Sequence, residues 1–345
     1  RGEWTLGPQV QEFEEAWSEA LGFTHSVGVS SGTDALFLIL KAMGIGQRQV
    51  VYTVPNTFLA TVGAILQAGA EPVFVDVGED MLMDYDKLDM KSYNAGAVMP
   101  VDWAGNPSSV GSVGDDLHGD VPTIRDASQS VGAQLGGYTP LSQAAAYSLH
   151  PLKNINVWGD GGMVCTDDDS LAEEVRLLRN HGLEGRDAWK KPGYNMRLST
   201  MQAIVGLHVL PNLEAYTVKR ISNALRYSEG LSGVPVTTPV VADQARHVYH
   251  LYIIQVDYPA DRDPLLAHLN EHGVEAKVHY PVPLHLQPAL KHLGYIEGDF
   301  PVAERQASTM ITLPVHQFLS EDQIDYTIST IREYFGEGAC CARGE

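Results

Sequence analysis

The chain has 345 residues, 44% of them hydrophobic, with 23 Lys and Arg against 43 Asp and Glu and a formal charge of −20. That length supports one large α/β unit or two domains of unequal size, and the charge, which serves solubility, repels nucleic acid and anionic membrane. No apolar run reaches the roughly 18 residues that cross a bilayer, and Cys165, Cys340 and Cys341 form no spaced framework, so a reducing cytoplasmic setting without disulfides is expected.

The start, Arg1-Gly2-Glu3-Trp4, lacks the basic-then-apolar pattern of a signal peptide and has no initiator methionine, which reads as a clipped start. From Gly7 to Leu21 apolar residues recur at three- and four-residue spacing, predicting an amphipathic helix that Gly22 ends. A short strand, Ser26–Val29, then runs through Ser30-Ser31-Gly32-Thr33-Asp34 into an apolar helix from Ala35 to Met43. Strand, Ser/Gly/Thr turn and helix start make an anion site, because unpaired N–H groups and the positive end of the helix dipole point to one place. Taken alone, the same residues also make an ordinary helix cap by Ser31 or Thr33.

Strand and helix signals alternate from here: a strand at Val50–Val54, a helix at Thr57–Ala68, and strands at Pro72–Val77, Ala97–Val101, Val121–Arg125, Ala144–Ser148 and Gly162–Thr166. The strands are short and apolar, as in a mainly parallel sheet covered by helices on both faces. In such sheets ligands bind beyond the carboxyl ends of strands, where Pro55–Phe58, Asp102–Gly105 and Asp126–Gln129 fall. Ser108 to Asp120 reads as a loop or a poorly marked helix.

Helices follow at Leu171–Arg179, at Met201–Leu210 with Ser199 or Thr200 as cap, and from about Pro211 to Leu231. A strand at Tyr249–Val256, a helix at Arg262–His272, a strand at Val274–Tyr280 and a terminal helix at Asp322–Tyr334 suggest a smaller α+β unit. The expected division is a large domain over 1–212, a small domain over 213–335 and a disordered tail over 336–345. No internal repeat or low-complexity tract is evident.

One lysine and one acid stand out at strand ends. Lys153 follows an apolar strand, where burial would favour its neutral amine as a nucleophile toward a carbonyl. Asp126 ends another strand, and a buried carboxylate needs a cationic partner. A Schiff-base lysine, a carboxylate against a pyridine nitrogen and a phosphate cradle are what pyridoxal 5'-phosphate needs. Each residue alone has a plainer reading, as a solvated lysine or a loop-anchoring acid. The histidines His247, His250, His279 and His285 lack Cys or carboxylate at ligand spacing, so a metal is not expected.

Several motifs stand in order: Gly7-Pro8, Ser31-Gly32-Thr33, Pro55-Asn56-Thr57-Phe58, Asp126-Ala127-Ser128-Gln129, Ser148 with Lys153, Gly161-Gly162, Asn195-x-Arg197 and His279-Tyr280-Pro281-x-Pro283-x-His285. Together, from about Gly7 to Tyr334, they resemble the DegT/DnrJ/EryC1/StrS family of sugar aminotransferases. The resemblance implies a fold type I pyridoxal phosphate transferase with a mainly parallel central sheet and a smaller C-terminal α+β domain. It implies that Lys153 is the Schiff-base lysine and base, Asp126 the partner of the pyridine nitrogen, Gln129 a neighbour of the ring hydroxyl and Phe58 the stacking aromatic.

Gly32, Thr33 and Ser148 match the phosphate cradle, and Ser31 and Asp34 belong to the same helix start. Asn195 resembles a residue that reaches the phosphate from a partner subunit, implying a homodimer with shared sites. His279 and Tyr280, with His285, Arg197, His150 and Trp158, are expected on the substrate side, and His247 and His250 are expected to be structural. Residues 150–158 around the lysine, the turn Gly136–Gln143 and Ser108–Asp120 depart from the family pattern.

The implied reaction aminates a keto-sugar, nucleotide-linked, from L-glutamate through pyridoxamine phosphate. A cyclitol or sugar-acid ketone as acceptor stays open. So does a sugar dehydratase of the same family, although those relatives resemble one another in carrying histidine where this chain has Lys153. A non-catalytic binding or regulatory module is the alternative of another class.

Overall fold

The computed structural model describes residues 3–90, 94–108 and 121–338. Most of the expected Ser108–Asp120 loop and the last residues of the expected tail lie outside these. The N-terminal helix α1 (Pro8–Leu21) places Pro8 in its first turn, where the missing N–H costs nothing, and buries Val10, Phe13, Trp17 and Leu21. Strand β1 (His25–Val29) leads into helix α2 (Gly32–Ala42); β2 (Val50–Thr53), helix α3 (Leu59–Ala68), β3 (Glu71–Phe74) and β4 (Ala95–Val98) follow. Strands β5 (Ile124–Asp126), β6 (Ala144–Ser148) and β7 (Gly162–Thr166) complete the large sheet before helix α4 (Asp169–Arg179).

Strand β2 pairs in parallel with β3 and β4, and β5 pairs in parallel with β6. The parallel bridges Val98 to Thr123 and Val101 to Asp126 join the two groups. The order is therefore β3-β2-β4-β5-β6-β7-β1. Strand β7 runs antiparallel to both β6 and β1, so the sheet is mixed along one side. Because β6 and β7 form a hairpin, their connection, which holds Lys153, begins and ends at the rim where β1, β2, β4 and β5 finish.

Neighbouring residues of the central strands serve opposite faces. Ala144 and Ala146 pack in the cluster with Leu36, Ile39 and Val175, whereas Ala145 and Tyr147 pack with Phe13, Trp17 and Leu198. Both faces are thus covered, which explains why the strands read as apolar runs rather than alternating ones.

Beyond the sheet, helix α5 (Thr200–Val209) starts at a capping box in which Ser199 and Gln202 satisfy each other's backbone N–H groups. Helix α6 (Leu213–Gly230) leads to β8 (Tyr252–Val256), helix α7 (Pro259–Glu271), helix α8 (Pro301–Thr309), β9 (Met310–Leu313) and helix α9 (Glu321–Gly338). A separate apolar cluster, including Ala224, Tyr252, Leu265, Ile311 and Ile328, forms among these later elements.

The strand expected at Val274–Tyr280 does not form. Its alternation is real, but the edge of β9 meets it only at Lys277, which exchanges backbone hydrogen bonds with Thr312, while β8 pairs with β9 along Tyr252–Gln255. Helix α8 and strand β9 carry little periodic signal and were not anticipated.

Below the rim, Arg125 and Asp102 form an ion pair with essentially no exposure. Asp102 also accepts from Ser130 Oγ at 2.6 Å and from Ser108 N at 2.9 Å, and Arg125 donates to Pro140 O at 2.8 Å. Removing one partner strands the other charge, so Asp102→Ala should cost about 3–5 kcal/mol of stability, read as a lower urea midpoint.

Candidate active site

The turn after β1 is built to present N–H groups. Ser31 caps α2 by accepting from Asp34 N at 3.0 Å, leaving the first-turn N–H groups of Gly32 and Thr33 without helical acceptors. A Cβ on Gly32 would lie 2.8 Å from Ser148 Cβ and 3.3 Å from Ser128 Oγ, so this glycine lets strand ends β1, β5 and β6 converge. A Cβ on Gly162 would collide with the backbone of Ser31 and Gly32. Ser128 therefore lies against Gly32 together with Ser148, although sequence reasoning gave it no role. Asp34 spends its N–H on Ser31, and its carboxyl takes the Ser30 hydroxyl. The hydroxyl of Ser31 is likewise committed as the cap.

Asp126 is 5% exposed. Its oxygens accept from Thr61 Oγ1 at 2.7 Å and Ser128 N at 3.2 Å, both neutral donors. Thr61, itself bonded to Thr57 at 2.7 Å, is a second residue that sequence reasoning missed. Its only signal was its place one turn into the helix after Phe58. Gln129 accepts from Ala104 N at 2.8 Å, fixing the turn after β4 to the turn after β5.

Lys153 sits in the β6–β7 connection, its N–H bonded to His150 O at 2.8 Å. Burial brings its amine down to about 8, with Asp126 pulling the other way. The charge of Asp126 also reaches Tyr280, which burial first and then that carboxyl push up to about 12. Tyr280 lies 5.8 Å from the half-exposed ring of Phe58 and 5.6 Å from Trp103. His279 bonds Thr312 Oγ1 at 3.0 Å, and burial, then Lys277 and Lys153, depress it. Lys153, Asp126, Phe58, Tyr280 and His279 thus share one neighbourhood.

His250 lies within the electrostatic reach of the same groups. Burial, then the charges of Lys153, Arg220, His279 and His150, push it well below its ordinary value. His247 is structural as expected, stacked on Tyr249 at 4.0 Å and accepting from Tyr249 N.

His285 is a correction. It is 1% exposed, bonds Glu304 through Nε2 at 2.9 Å and packs edge-on against Phe300, so it is a core side chain rather than one on the pocket surface. His150 and Trp158 lie exposed on the lysine connection, Trp158 at 76%. Asn195 and Arg197 run along the outer side of β1, where Arg197 bridges Val29 and bonds Asn180 at 3.0 Å. Asn195 is exposed. Among the described residues no group of three or more His, Cys, Asp or Glu could hold a metal ion, and no helix is long and apolar enough to cross a membrane.

The donor set fits pyridoxal phosphate: a buried carboxyl with only neutral donors awaits a cation, the close Gly32–Ser148–Ser128 approach forms an anion cradle, and Lys153 supplies an amine. Gly32→Ala would fill that cradle, so it should weaken pyridoxal phosphate binding about tenfold, measured by titrating the cofactor-free protein and following absorbance.

Comparison with known proteins agrees. The model of the DegT/DnrJ/EryC1/StrS aminotransferase family matches residues 1–332. A "Pleiotropic regulatory protein" of Geobacillus stearothermophilus is 37% identical over 96% of this chain and 90% of its own length. A "dTDP-3-amino-3,4,6-trideoxy-alpha-D-glucose transaminase" of Micromonospora megalomicea subsp. nigra is 36% identical over 96% of this chain and 91% of its own.

Among solved structures, S. venezuelae DesV in complex with a ketimine intermediate superposes with a TM-score of 0.91 at 35% identity, over 96% of this chain and 91% of that one. The PLP-form of Spr1654 from Streptococcus pneumoniae does so with a TM-score of 0.91 at 25% identity, over 98% of this chain and 93% of that one. The fold is that of a fold type I pyridoxal phosphate transferase with a smaller C-terminal domain. The chain belongs to the DegT/DnrJ/EryC1/StrS family and is a pyridoxal-phosphate-dependent aminotransferase that acts on sugars.

Proposed function

We propose that the protein aminates a nucleotide-linked keto-sugar, taking the amino group from L-glutamate and alternating the two substrates at one site. The observation that carries this reading is the buried Lys153 amine, held near 8 within the field of the Asp126 carboxyl. The name of the Micromonospora relative, a dTDP-sugar transaminase, supports the nucleotide. When bound, pyridoxal phosphate supplies an electron-withdrawing ring that holds the amino group between the two half-reactions.

Lys153 in its neutral form would hold the cofactor through its amine and, once the incoming amino group displaces it, would serve at Nζ as the base that moves a proton between the substrate carbon and the cofactor in each half-reaction. Asp126, oriented by Thr61 and Ser128, supplies the negative charge that keeps a pyridine nitrogen protonated. Gly32, Thr33, Ser128 and Ser148 hold the phosphate, Gln129 borders the ring, and Phe58 covers one face. His279, Tyr280, His150, Trp158 and Arg197 border the sugar.

The working unit in this reading is a cytoplasmic homodimer in which Asn195 of one chain reaches the other chain's phosphate. Exposed Leu59 and Leu152 give the partner apolar side chains to cover. Residues 1–212 act as the cofactor-binding domain and 213–335 as the smaller one.

Lys153→Ala should abolish the borohydride-sensitive visible band and reduce transamination by about a thousandfold or more; turnover near the wild-type rate would remove Lys153 from the mechanism. Product analysis with L-glutamate and a panel of nucleotide keto-sugars should give an amino-sugar and 2-oxoglutarate; no product from any nucleotide-linked ketone would overturn the nucleotide-sugar reading. Capture of pyridoxal phosphate by the cofactor-free protein should accelerate as pH rises through about 8 and level off above it, because the amine is protonated and inert below that value. Stopped-flow absorbance across that range checks it.

A further inference from the structure

Asn154 follows Lys153 directly, yet the proposed chemistry gives it nothing to do. Its side chain is 3% exposed and donates from Nδ2 to Val248 O at 3.1 Å. Among the described residues, the other hydrogen bonds of positions 150–158 close within or beside the turn. Lys153 N reaches His150 O at 2.8 Å, Val157 N reaches Leu149 O at 3.1 Å and Leu152 N reaches His150 Nδ1 at 3.2 Å. Asn154 therefore links the lysine turn to a distant part of the chain.

That distant part, residues 247–251, is itself fixed on two further sides. Val248 N donates to Gly105 O at 2.9 Å and Leu251 N to Ala104 O at 3.1 Å, the same Ala104 whose N–H holds Gln129. Gly105, at φ 94°, permits this approach: a Cβ there would lie 2.8 Å from Val248 Cγ2 and 3.0 Å from His250 N. On the other side, Arg220 of α6, 6% exposed, donates to Tyr249 O at 2.9 Å, His250 O at 3.4 Å and Gln317 Oε1 at 2.9 Å. Those acceptors are neutral, so the guanidinium serves as a fixed anchor for the segment. Between these anchors the His250 ring is held in the field of Lys153, its Nδ1 without a partner among the described residues.

We propose that Asn154 is a positioning residue for Lys153: its bond to Val248 O fixes the lysine turn against segment 247–251 and so limits the access of water to the ε-amine. The inference rests on Lys153 as the reactive amine, but not on the identity of the sugar or the donor. The groups around that amine are Asp126 from the turn after β5, His250 from segment 247–251, His279 before Tyr280, His150 on its own turn and Arg220 behind His250. Only Asp126 among them favours the charged amine. If the turn loosens, water enters and the amine becomes easier to protonate.

The test compares wild type, Asn154→Ala and Asn154→Asp as full chains. Asn154→Asp keeps the side-chain volume but loses the N–H donor. Lys153 acylation by acetic anhydride in the cofactor-free protein is mapped by mass spectrometry across pH, and pyridoxal phosphate affinity is titrated separately. In Asn154→Ala the acylation midpoint should move up by about one pH unit, a tenfold change in proton affinity, with about tenfold weaker cofactor binding. Asn154→Asp should move the midpoint at least as far, since its carboxylate adds to the effect.

An unchanged midpoint in Asn154→Ala overturns the proposal, whether or not the melting temperature falls. A shift in Asn154→Asp alone also overturns it, because charge would then be the whole cause. Failure of both variants to fold overturns it too, by making Asn154 a determinant of folding. Failure of the sugar-aminating reading would appear differently, as a wild type that labels normally but takes no amino group from glutamate.

Discussion

A carboxyl buried at the end of a strand, with only neutral donors for company, is the constraint around which the large domain is arranged. Asp126 is placed there by register: Val101 bridges it on one side and Ala146 pairs with it on the other. Thr61 and Ser128 orient its oxygens but bring no positive charge. A buried carboxylate in that state is costly until a cation arrives, and the protonated nitrogen of a pyridoxal ring is such a cation. The charge beside it in sequence is treated in the opposite way. Arg125 turns to the other face and is neutralised by Asp102 within the protein. The internal pair supports the rim, while the hydrogen bonds of Asp126 come from the neutral donors Thr61 and Ser128.

The reversal of β7 does for Lys153 what the parallel register does for Asp126. A parallel successor to β6 would need a crossover of a dozen or more residues over one face of the sheet. The antiparallel hairpin instead keeps residues 149–161 at the rim, close to the cradle at Gly32 and Ser148. Segment 247–251 then closes over this connection from the later part of the chain. The amine is thereby excluded from water enough to lower it to about 8, despite the carboxyl nearby. Desolvation wins over Coulomb attraction here because Asp126 is committed to its own hydrogen bonds and forms no direct ion pair with the lysine.

The electrostatics of the site also run against those of the whole chain. A protein of charge −20 gathers Lys153, Arg220 and the imidazoles of His150, His250 and His279 around one small region. Burial keeps His250 and His279 from adding full charges, so the region stays receptive to anionic groups without the repulsion of several clustered cations.

Much of this was legible in the sequence, for identifiable reasons. Glycine close to serine at strand ends, an acid and an amide three residues apart, and a lysine after a small-residue strand are chemical signatures that folding cannot alter, so the cofactor could be read from their combination. Alternating strand and helix signals likewise determined an α/β architecture, because hydrophobic periodicity is local. The direction of β7, the loss of the Val274–Tyr280 strand to a single bridge, and the commitment of His285 to Glu304 and Phe300 depended on which segments came to lie side by side. The same holds for Thr61 and Ser128 beside Asp126 and for Asn154 against Val248. Sequence by itself settled what chemistry was available; only the tertiary structure decided which polar groups were spent on the protein and which were left for a ligand, because hydrogen-bond partners and burial are properties of contacts between distant residues.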